Sequence, residues 1–246
     1  MDIHSHILPG LDDGAADIEE SVAMLRTAWK EGITDIVATP HYRAGRPSAS
    51  PEEIREGVRK LQARADEENI PVRLYPGNEI LYFSELPDCL REEKVLTLNG
   101  SRSVLVEFLP DVQFRSLRNA AEDILTAGYR MILAHVERYR CLTQDPERPE
   151  YLLDIGVQFQ INASSVTGQA GGEVKRFVDR LLRAEQVDYI GTDAHSNRRR
   201  RPEIAKCGNL LRKKYGWIYA ETLLCVRAEE ELGIGCVRRK KSEYGG

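Results

Sequence analysis

The sequence predicts an α/β fold with a mainly parallel sheet, and three observations carry this prediction. Short apolar runs alternate with longer helical patterns along the chain, which is the order expected of βα units. The chain has 246 residues, the usual size of one α/β barrel. No linker rich in Pro, Gly or Ser divides it, so we expect a single domain over residues 1–237.

The individual elements follow from local patterns. All strands but the first are rich in Ile, Val, Leu, Tyr or Phe, and they are expected at residues 2–5, 33–39, 72–76, 103–108, 130–135, 157–161 and 187–192. Helices are expected at residues 17–31, 51–69, 115–127, 147–155, 172–185, 202–215 and 217–231. The helix from residue 51 has the clearest start, with Ser50 as cap and Pro51 in its first turn. The polar tail, residues 238–246, is expected to be disordered.

Composition excludes several classes of protein. The 35 Lys and Arg residues and 39 Asp and Glu residues give a net charge of −4, which argues against a nucleic-acid partner. No apolar run approaches the ~18 residues of a membrane helix, so we expect no membrane insertion. The first ten residues do not form a signal peptide. The five Cys residues are scattered, as expected of reduced thiols in a cytoplasmic protein.

The placement of the histidines is the most informative feature of the sequence. All five lie at or just past the carboxyl end of an expected strand; they are His4, His6, His41, His135 and His195. In parallel α/β proteins these strand ends form the functional edge of the sheet. A lone histidine in such a place is more often structural than a ligand. Five in the same kind of place indicate a site.

Three carboxylates, Glu79, Glu107 and Asp193, have the same placement. In the pairs His4/His6 and Asp193/His195 both side chains lie on one face of a strand, and the pairs would meet if the sheet closed. Imidazole with carboxylate suits Zn, Mn or Fe. Eight candidates exceed the needs of one ion, so two or three metals with a bridging carboxylate are implied, Glu107 being the best candidate for the bridge. The alternative is a polar hydrogen-bond network at the mouth of a barrel.

Arginines stand next to the candidate ligands. Arg138 follows His135 by three residues, and a run of four arginines, Arg198 to Arg201, follows His195. Guanidinium groups beside a metal site suit an oxyanion substrate, above all phosphate. For the four-arginine run, a solvated basic loop is the alternative interpretation.

Other hydrolytic chemistries lack their residues. No Cys is followed six residues later by Arg, so a cysteine phosphatase is excluded. The P-loop pattern and the G-x-S-x-G pattern are also absent. These absences favour hydrolysis assisted by metals.

The motifs occur in an order that resembles a known family. They are Asp2-Ile3-His4-Ser5-His6, Thr39-Pro40-His41, Gly77-Asn78-Glu79, Val106-Glu107-Phe108, Ala134-His135-Val136-Glu137-Arg138-Tyr139 and Thr192-Asp193-Ala194-His195. This order resembles the PHP (polymerase and histidinol phosphatase) metallohydrolases. The stretch from His6 to Gly14, HILPGLDDG, narrows the resemblance to bacterial tyrosine-protein phosphatases of capsule and exopolysaccharide loci, the CpsB/YwqE type.

The resemblance implies a distorted seven-stranded (β/α) barrel of PHP type, with the metal site at the carboxyl ends of its strands. It implies three metal ions, commonly Mn²⁺, with Fe, Zn, Co or Mg as alternatives. The implied metal ligands are His4, His6, His41, Glu79, Glu107, His135, Asp193 and His195. Arg138 and Arg200 would hold the phosphate, Arg200 because it lies five residues after His195, the spacing in the family.

The activity implied by the resemblance is removal of phosphate from tyrosines of a bacterial tyrosine kinase that regulates polysaccharide export. Metal-activated hydroxide would attack phosphorus. Three other functions stay open from the residues. One is a phosphoesterase for a small molecule such as histidinol phosphate. A second is a non-catalytic, metal-bound module that binds the kinase. The third, a nucleic-acid exonuclease, is disfavoured by the net charge of −4. The oligomeric state is also left open.

Overall fold

The computed structural model describes residues 1–235. The predicted tail lies outside these residues, as does Cys236. Nine strands occur within the described range: β1 (Asp2–Ser5), β2 (Asp35–Ala38), β3 (His41–Tyr42), β4 (Arg73–Pro76), β5 (Glu79–Leu81), β6 (Ser103–Glu107), β7 (Arg130–Leu133), β8 (Gln158–Asn162) and β9 (Tyr189–Gly191). Each of the predicted strands overlaps one of these. The two short strands β3 and β5 were not predicted.

Eleven α-helices accompany the strands in the same range: α1 (Ile18–Lys30), α2 (Pro51–Glu67), α3 (Leu86–Arg91), α4 (Phe114–Thr126), α5 (Arg140–Thr143), α6 (Glu147–Asp154), α7 (Ala163–Thr167), α8 (Gly172–Arg183), α9 (Ala205–Tyr215), α10 (Trp217–Glu221) and α11 (Arg227–Leu232). The predicted cap of α2 is confirmed, because Ser50 and Glu53 bond each other's backbone N–H groups reciprocally. The helix expected at residues 217–231 is interrupted by a π-helical turn at Thr222–Val226. None of the described helices is long and apolar enough to cross a membrane.

The strands pair in parallel and form a curled sheet. One part has the order β1-β2-β4, and the other has the order β3-β5-β6-β7-β8-β9. Only Thr39-Pro40 separates β2 from β3, and only Gly77-Asn78 separates β4 from β5. Just after β9, the backbone N–H of Asp193 donates to the carbonyl oxygen of His4 in β1 at 2.8 Å, so the last strand lies beside the first. The prediction of an α/β fold with a parallel sheet is confirmed.

The two faces of the sheet pack against different partners. Val104 and Val106 of β6 belong to the large apolar core between strands and helices, whereas Leu105 belongs to a smaller cluster on the other face. This alternation follows from the two-residue period of a strand. Ala228 and Leu232 of α11 pack against the smaller cluster, together with Met1. The face of the sheet that carries the smaller cluster is therefore apolar near the amino end of β1. Polar side chains can then occupy the carboxyl ends of the strands.

Candidate metal centre

The carboxyl ends of the strands bring all eight predicted ligands together. Six are buried: His4, His6, Glu79, His135, Asp193 and His195. They come from β1 and the residue after it, from β5, and from the segments that follow β7 and β9. His41, the first residue of β3, and Glu107, the last of β6, are half-buried. A carboxylate is costly to bury unless it is paired or bound to a metal. Glu79 and Asp193 therefore require cationic partners or a bound metal.

Three overlapping groups of side chains in residues 1–235 have the spacing of metal ligands. Within each group the donor atoms lie within 4.8 Å of one another. The groups are His4, His6, Glu79 and Asp193; His41, Glu79 and Glu107; and His6, Asp13, His41 and His195. His135 adjoins them, with its Nε2 2.8 Å from Glu79 Oε1.

Glu79 has the central position. Its Oε2 lies 3.2 Å from His4 Nε2, 3.2 Å from His6 Nε2 and 3.1 Å from His41 Nδ1. Glu107 lies nearer the edge, where its Oε1 is 3.0 Å from His41 Nδ1. Glu79 therefore lies nearer the centre of the cluster than Glu107 does.

Several donor atoms of this cluster lack other partners. Glu79 Oε2, His41 Nδ1 and His195 Nε2 are buried and form no hydrogen bond. Unpaired buried polar atoms are rare in native proteins, and each requires an explanation. Nitrogen and carboxylate oxygen atoms that converge in this way fit a divalent transition metal. The residues present therefore fit the predicted metal.

Charge within the cluster sets the protonation of its members. Burial and the charges of His6 and Arg200 lower the pKa of His195 to about 3. Its Nδ1 lies 3.0 Å from the carbonyl oxygen of Asp193, so the ring is a neutral donor with Nε2 available for a metal. Burial opposes ionisation of Glu79, but the positive charge of His4 and the hydrogen bond with His135 Nε2 hold the pKa of its carboxyl well below the usual value.

The sequence analysis missed two carboxylates, Asp12 and Asp13. Asp13 Oδ1 lies 3.5 Å from His41 Nε2 and 3.6 Å from His195 Nε2. Asp12 accepts a hydrogen bond from His6 Nδ1 at 2.6 Å and another from the backbone N–H of His41 at 2.9 Å. A carboxylate of this kind fixes the orientation of a metal-binding imidazole. The signal was present in the Asp-Asp-Gly sequence, which served only to identify the family.

The Asp12 hydrogen bonds also shift pKa values. Burial works against the charged form of both partners. The hydrogen bond nevertheless lowers the pKa of Asp12 to about 2, and together with Glu79 it raises the pKa of His6 to about 10.

Gly14 closes the loop that carries Asp12 and Asp13. A Cβ at this position would lie 2.1 Å from the carbonyl oxygen of His6 and 2.6 Å from its Cβ. Gly14→Ala is therefore expected to destabilise the protein by about 1–3 kcal/mol, because backbone has to move. Gly57→Ala is the matched control: its Cβ would meet Leu8 at an ordinary 3.5 Å, within α2, where Ala is favoured by about 0.5–1 kcal/mol. Urea unfolding of both variants tests this, and equal stability of the two would contradict it.

Two arginines converge on the carboxylate of Asp193. A terminal nitrogen of Arg138 lies 2.5 Å from Oδ2, and one of Arg200 lies 2.5 Å from Oδ1. Arg138 ends a 3₁₀ turn that begins directly after His135. Arg201 instead pairs with Glu203 at 3.1 Å. The guanidinium groups of Arg138 and Arg200 thus lie at the ligand cluster, and that of Arg201 faces another partner.

The backbone is unusual at two site residues. His135 has a φ of 34° and Asp193 a φ of 54°, values that residues other than glycine adopt infrequently. Such conformations persist only where surrounding contacts enforce them, and they concentrate at functional sites. Here they direct a histidine after β7 and a carboxylate after β9 into the same cluster.

Comparison with known proteins identifies the family. Residues 1–232 match the model of a family described as capsular polysaccharide synthesis, CpsB/CapC. The chain belongs to the CpsB/CapC family. Among its curated relatives, the tyrosine-protein phosphatase YwqE of Bacillus subtilis is 34% identical, over 88% of this chain and 85% of the relative. This confirms the resemblance to the CpsB/YwqE type.

Solved structures agree with this membership. A chain from the crystal structures of YwqE from Bacillus subtilis and CpsB from Streptococcus pneumoniae, named as unique metal-dependent tyrosine phosphatases, is 33% identical with a TM-score of 0.89. The match covers 97% of this chain and 96% of that one. The histidinol phosphate phosphatase of Lactococcus lactis has a TM-score of 0.55 at 18% identity, over 86% of this chain and 92% of that one. That second likeness shows a shared fold.

Proposed function

We propose that this protein is a metal-dependent protein-tyrosine phosphatase. The observation that carries the proposal is a buried cluster of imidazoles and carboxylates, with two arginines on one of its carboxylates. Membership of the CpsB/CapC family supports it, since the relatives are named tyrosine-protein phosphatases.

The eight predicted residues, with Asp13 in addition, would hold the metals. The three overlapping ligand groups support three ions, with Glu79 shared by two of the groups. The mixture of imidazole and carboxylate suits Zn, Mn or Fe ions. The resemblance to PHP metallohydrolases favours Mn²⁺ among them, with Co and Mg as further alternatives. When bound, the metals would lower the pKa of a water molecule and neutralise phosphoryl oxygens.

The side chains around the cluster would complete the chemistry. Arg138 and Arg200 would bind the phosphoryl oxygens, since guanidinium groups match phosphate geometry. Asp193 orients both arginines at 2.5 Å. The leaving group would be a tyrosine phenolate, and since its conjugate acid has a pKa of ~10, the reaction has limited need of a strong general acid.

The substrate would be a phosphotyrosine-bearing bacterial tyrosine kinase that regulates capsule or exopolysaccharide synthesis. The family description, capsular polysaccharide synthesis, supports this assignment. A cytoplasmic location is supported by Cys89, Cys141 and Cys207, which form no disulfide in the described part of the chain.

The strands would form a distorted seven-stranded barrel within one domain over residues 1–237. Two observations support this. Only two residues separate β2 from β3, and only two separate β4 from β5, so each pair would count as one interrupted strand of the barrel. In addition, the backbone N–H groups of His6 and Asp193 link β1 to the segment after β9 at 2.8 Å.

A comparison of substrates tests the proposed function. With Mn²⁺ present, we expect the protein to hydrolyse a phosphotyrosine peptide with a higher kcat/KM than histidinol phosphate. Excess chelator should abolish turnover, and replacement of all five Cys by Ser should spare it in the folded fraction. A preference for histidinol phosphate would point to a small-molecule phosphoesterase. Tight kinase binding without turnover would point to a regulatory module.

A further inference from the structure

Strand β8 contributes amide side chains rather than candidate ligands to the metal centre. Gln160 and Asn162 lie two residues apart on this strand, and both are buried. Their spacing places both side chains on one face of the sheet. That face is the one directed at the cluster, because Gln160 contacts His4 and Asn162 contacts Asp193.

The hydrogen bonds of Gln160 fix which way its amide points. Its Oε1 accepts the backbone N–H of His135 at 2.9 Å, and its Nε2 donates to Asn162 Oδ1 at 2.9 Å. The reverse orientation would place an NH₂ group against a backbone N–H, two donors facing each other. Oε1 therefore also faces His4 Nδ1, at 3.0 Å.

This orientation determines the tautomer of His4. An amide oxygen only accepts hydrogen bonds, so His4 Nδ1 carries a proton and donates it to Gln160. His4 Nε2 is then left for the metal, and it lies 3.2 Å from Glu79 Oε2 and 3.5 Å from Asp193 Oδ1. One amide thus directs the imidazole lone pair into the cluster.

The same logic extends through Asn162. Its Oδ1 accepts from Gln160, so its Nδ2 is the group that donates to Asp193 Oδ2 at 2.9 Å. The backbone N–H of Asn162 donates to buried Glu137 at 2.9 Å, which holds the residue in place. Asp193 Oδ1 is thereby directed toward His4 and His6.

We infer that Gln160 and Asn162 form a directional hydrogen-bond relay that positions His4 and Asp193 for metal binding. The inference rests on the proposed metal centre. Both are positioning residues, since they act through the ligands and not on the substrate. Loss of such supporting hydrogen bonds typically lowers metal affinity about 10- to 100-fold.

The test uses full-length protein loaded with Zn²⁺, which is diamagnetic. Zinc affinity is measured by competition with a chromophoric chelator, and the His4 tautomer by long-range ¹H–¹⁵N NMR of the imidazoles. Gln160→Met should lower affinity about 10- to 100-fold and remove the single Nδ1–H form of His4. Gln160→Glu keeps the acceptor for His4 Nδ1, so the tautomer should be retained. It loses the donor to Asn162 Oδ1, so zinc affinity should still fall. Asn162→Ala should do the same.

Gln158→Met is the matched control. Gln158 belongs to the same strand, but its amide donates to Glu231 at 2.8 Å, away from the cluster. Its zinc affinity should equal that of the wild type. The relay is wrong if the wild type binds zinc and both Gln160→Met and Asn162→Ala bind it equally well. It is also wrong if His4 binds zinc through Nδ1. If the wild type binds no zinc, the proposed metal centre itself fails. The three relay variants act at different bonds, so misfolding of one leaves the other two decisive.

Discussion

Replacing Glu79 with Gln is expected to abolish metal binding and phosphatase activity together. The carboxylate is buried, and its two oxygens lie within 3.2 Å of nitrogen atoms from four histidines: His4, His6, His41 and His135. The amide keeps the volume but removes the negative charge and turns one oxygen into a donor. We expect a loss in kcat/KM of at least about 1,000-fold, since metals contribute several kcal/mol to such reactions. Metal content by mass spectrometry and peptide turnover check this result.

Two further variants show whether position in the cluster matters. Glu107→Gln should cost less than Glu79→Gln, because Glu107 belongs to one ligand group and Glu79 to two. Glu85→Gln should be neutral, since the side chain of Glu85 is exposed and accepts a hydrogen bond from Ser84, away from the cluster. Full metal occupancy with unchanged turnover in Glu79→Gln would remove the central role assigned to this carboxylate.

Arg138→Ala and Arg200→Ala are each expected to lower kcat/KM on a phosphotyrosine peptide about 10- to 150-fold. This range corresponds to a charge-assisted hydrogen bond of roughly 1.5–3 kcal/mol. If the contact with the phosphoryl group strengthens in the transition state, losing it should lower kcat. If the contact is equally strong in the ground state and the transition state, losing it should raise KM alone. Lys should rescue only in part, because it lacks the planar fork.

Neighbouring arginines provide the controls for this experiment. Arg201 pairs with Glu203 at 3.1 Å, and Arg198 and Arg199 are exposed. Their Ala variants should change kcat/KM little. An Arg201→Ala variant as damaging as Arg200→Ala would show that the wrong arginine of the run was assigned. No effect at Arg138 or Arg200 would mean that the metals alone hold the phosphate.

The regular elements and the strand-end clustering could be read from the sequence, and the reason is periodicity. A helix such as α4 buries Leu117, Ala120, Ala121 and Ile124 on one face, a spacing visible in the sequence alone. Parallel strands place their carboxyl ends on one edge, so His135 and His195 could be expected to meet although they lie 60 positions apart in the chain.

What sequence reasoning missed depends on tertiary contacts. Strand β3 has only two residues and β5 only three, too few to give an alternating pattern. Asp12 and Asp13 lie in a loop, where no period assigns a direction to a side chain. The sequence also did not show that Glu79 lies nearer the centre of the cluster than Glu107, since each lies at or just after the end of an apolar run. Only the curl of the sheet decides which carboxylate lies nearer the histidines.

The most direct test of the metal centre is turnover of a phosphotyrosine peptide as a function of bound Mn²⁺ per chain. Metal-free protein is titrated with Mn²⁺, with bound metal determined by mass spectrometry and turnover measured at each point. We predict no turnover without metal, and a rise that ends as the overlapping ligand groups fill, at three ions per chain. Full turnover of the metal-free protein would contradict the account.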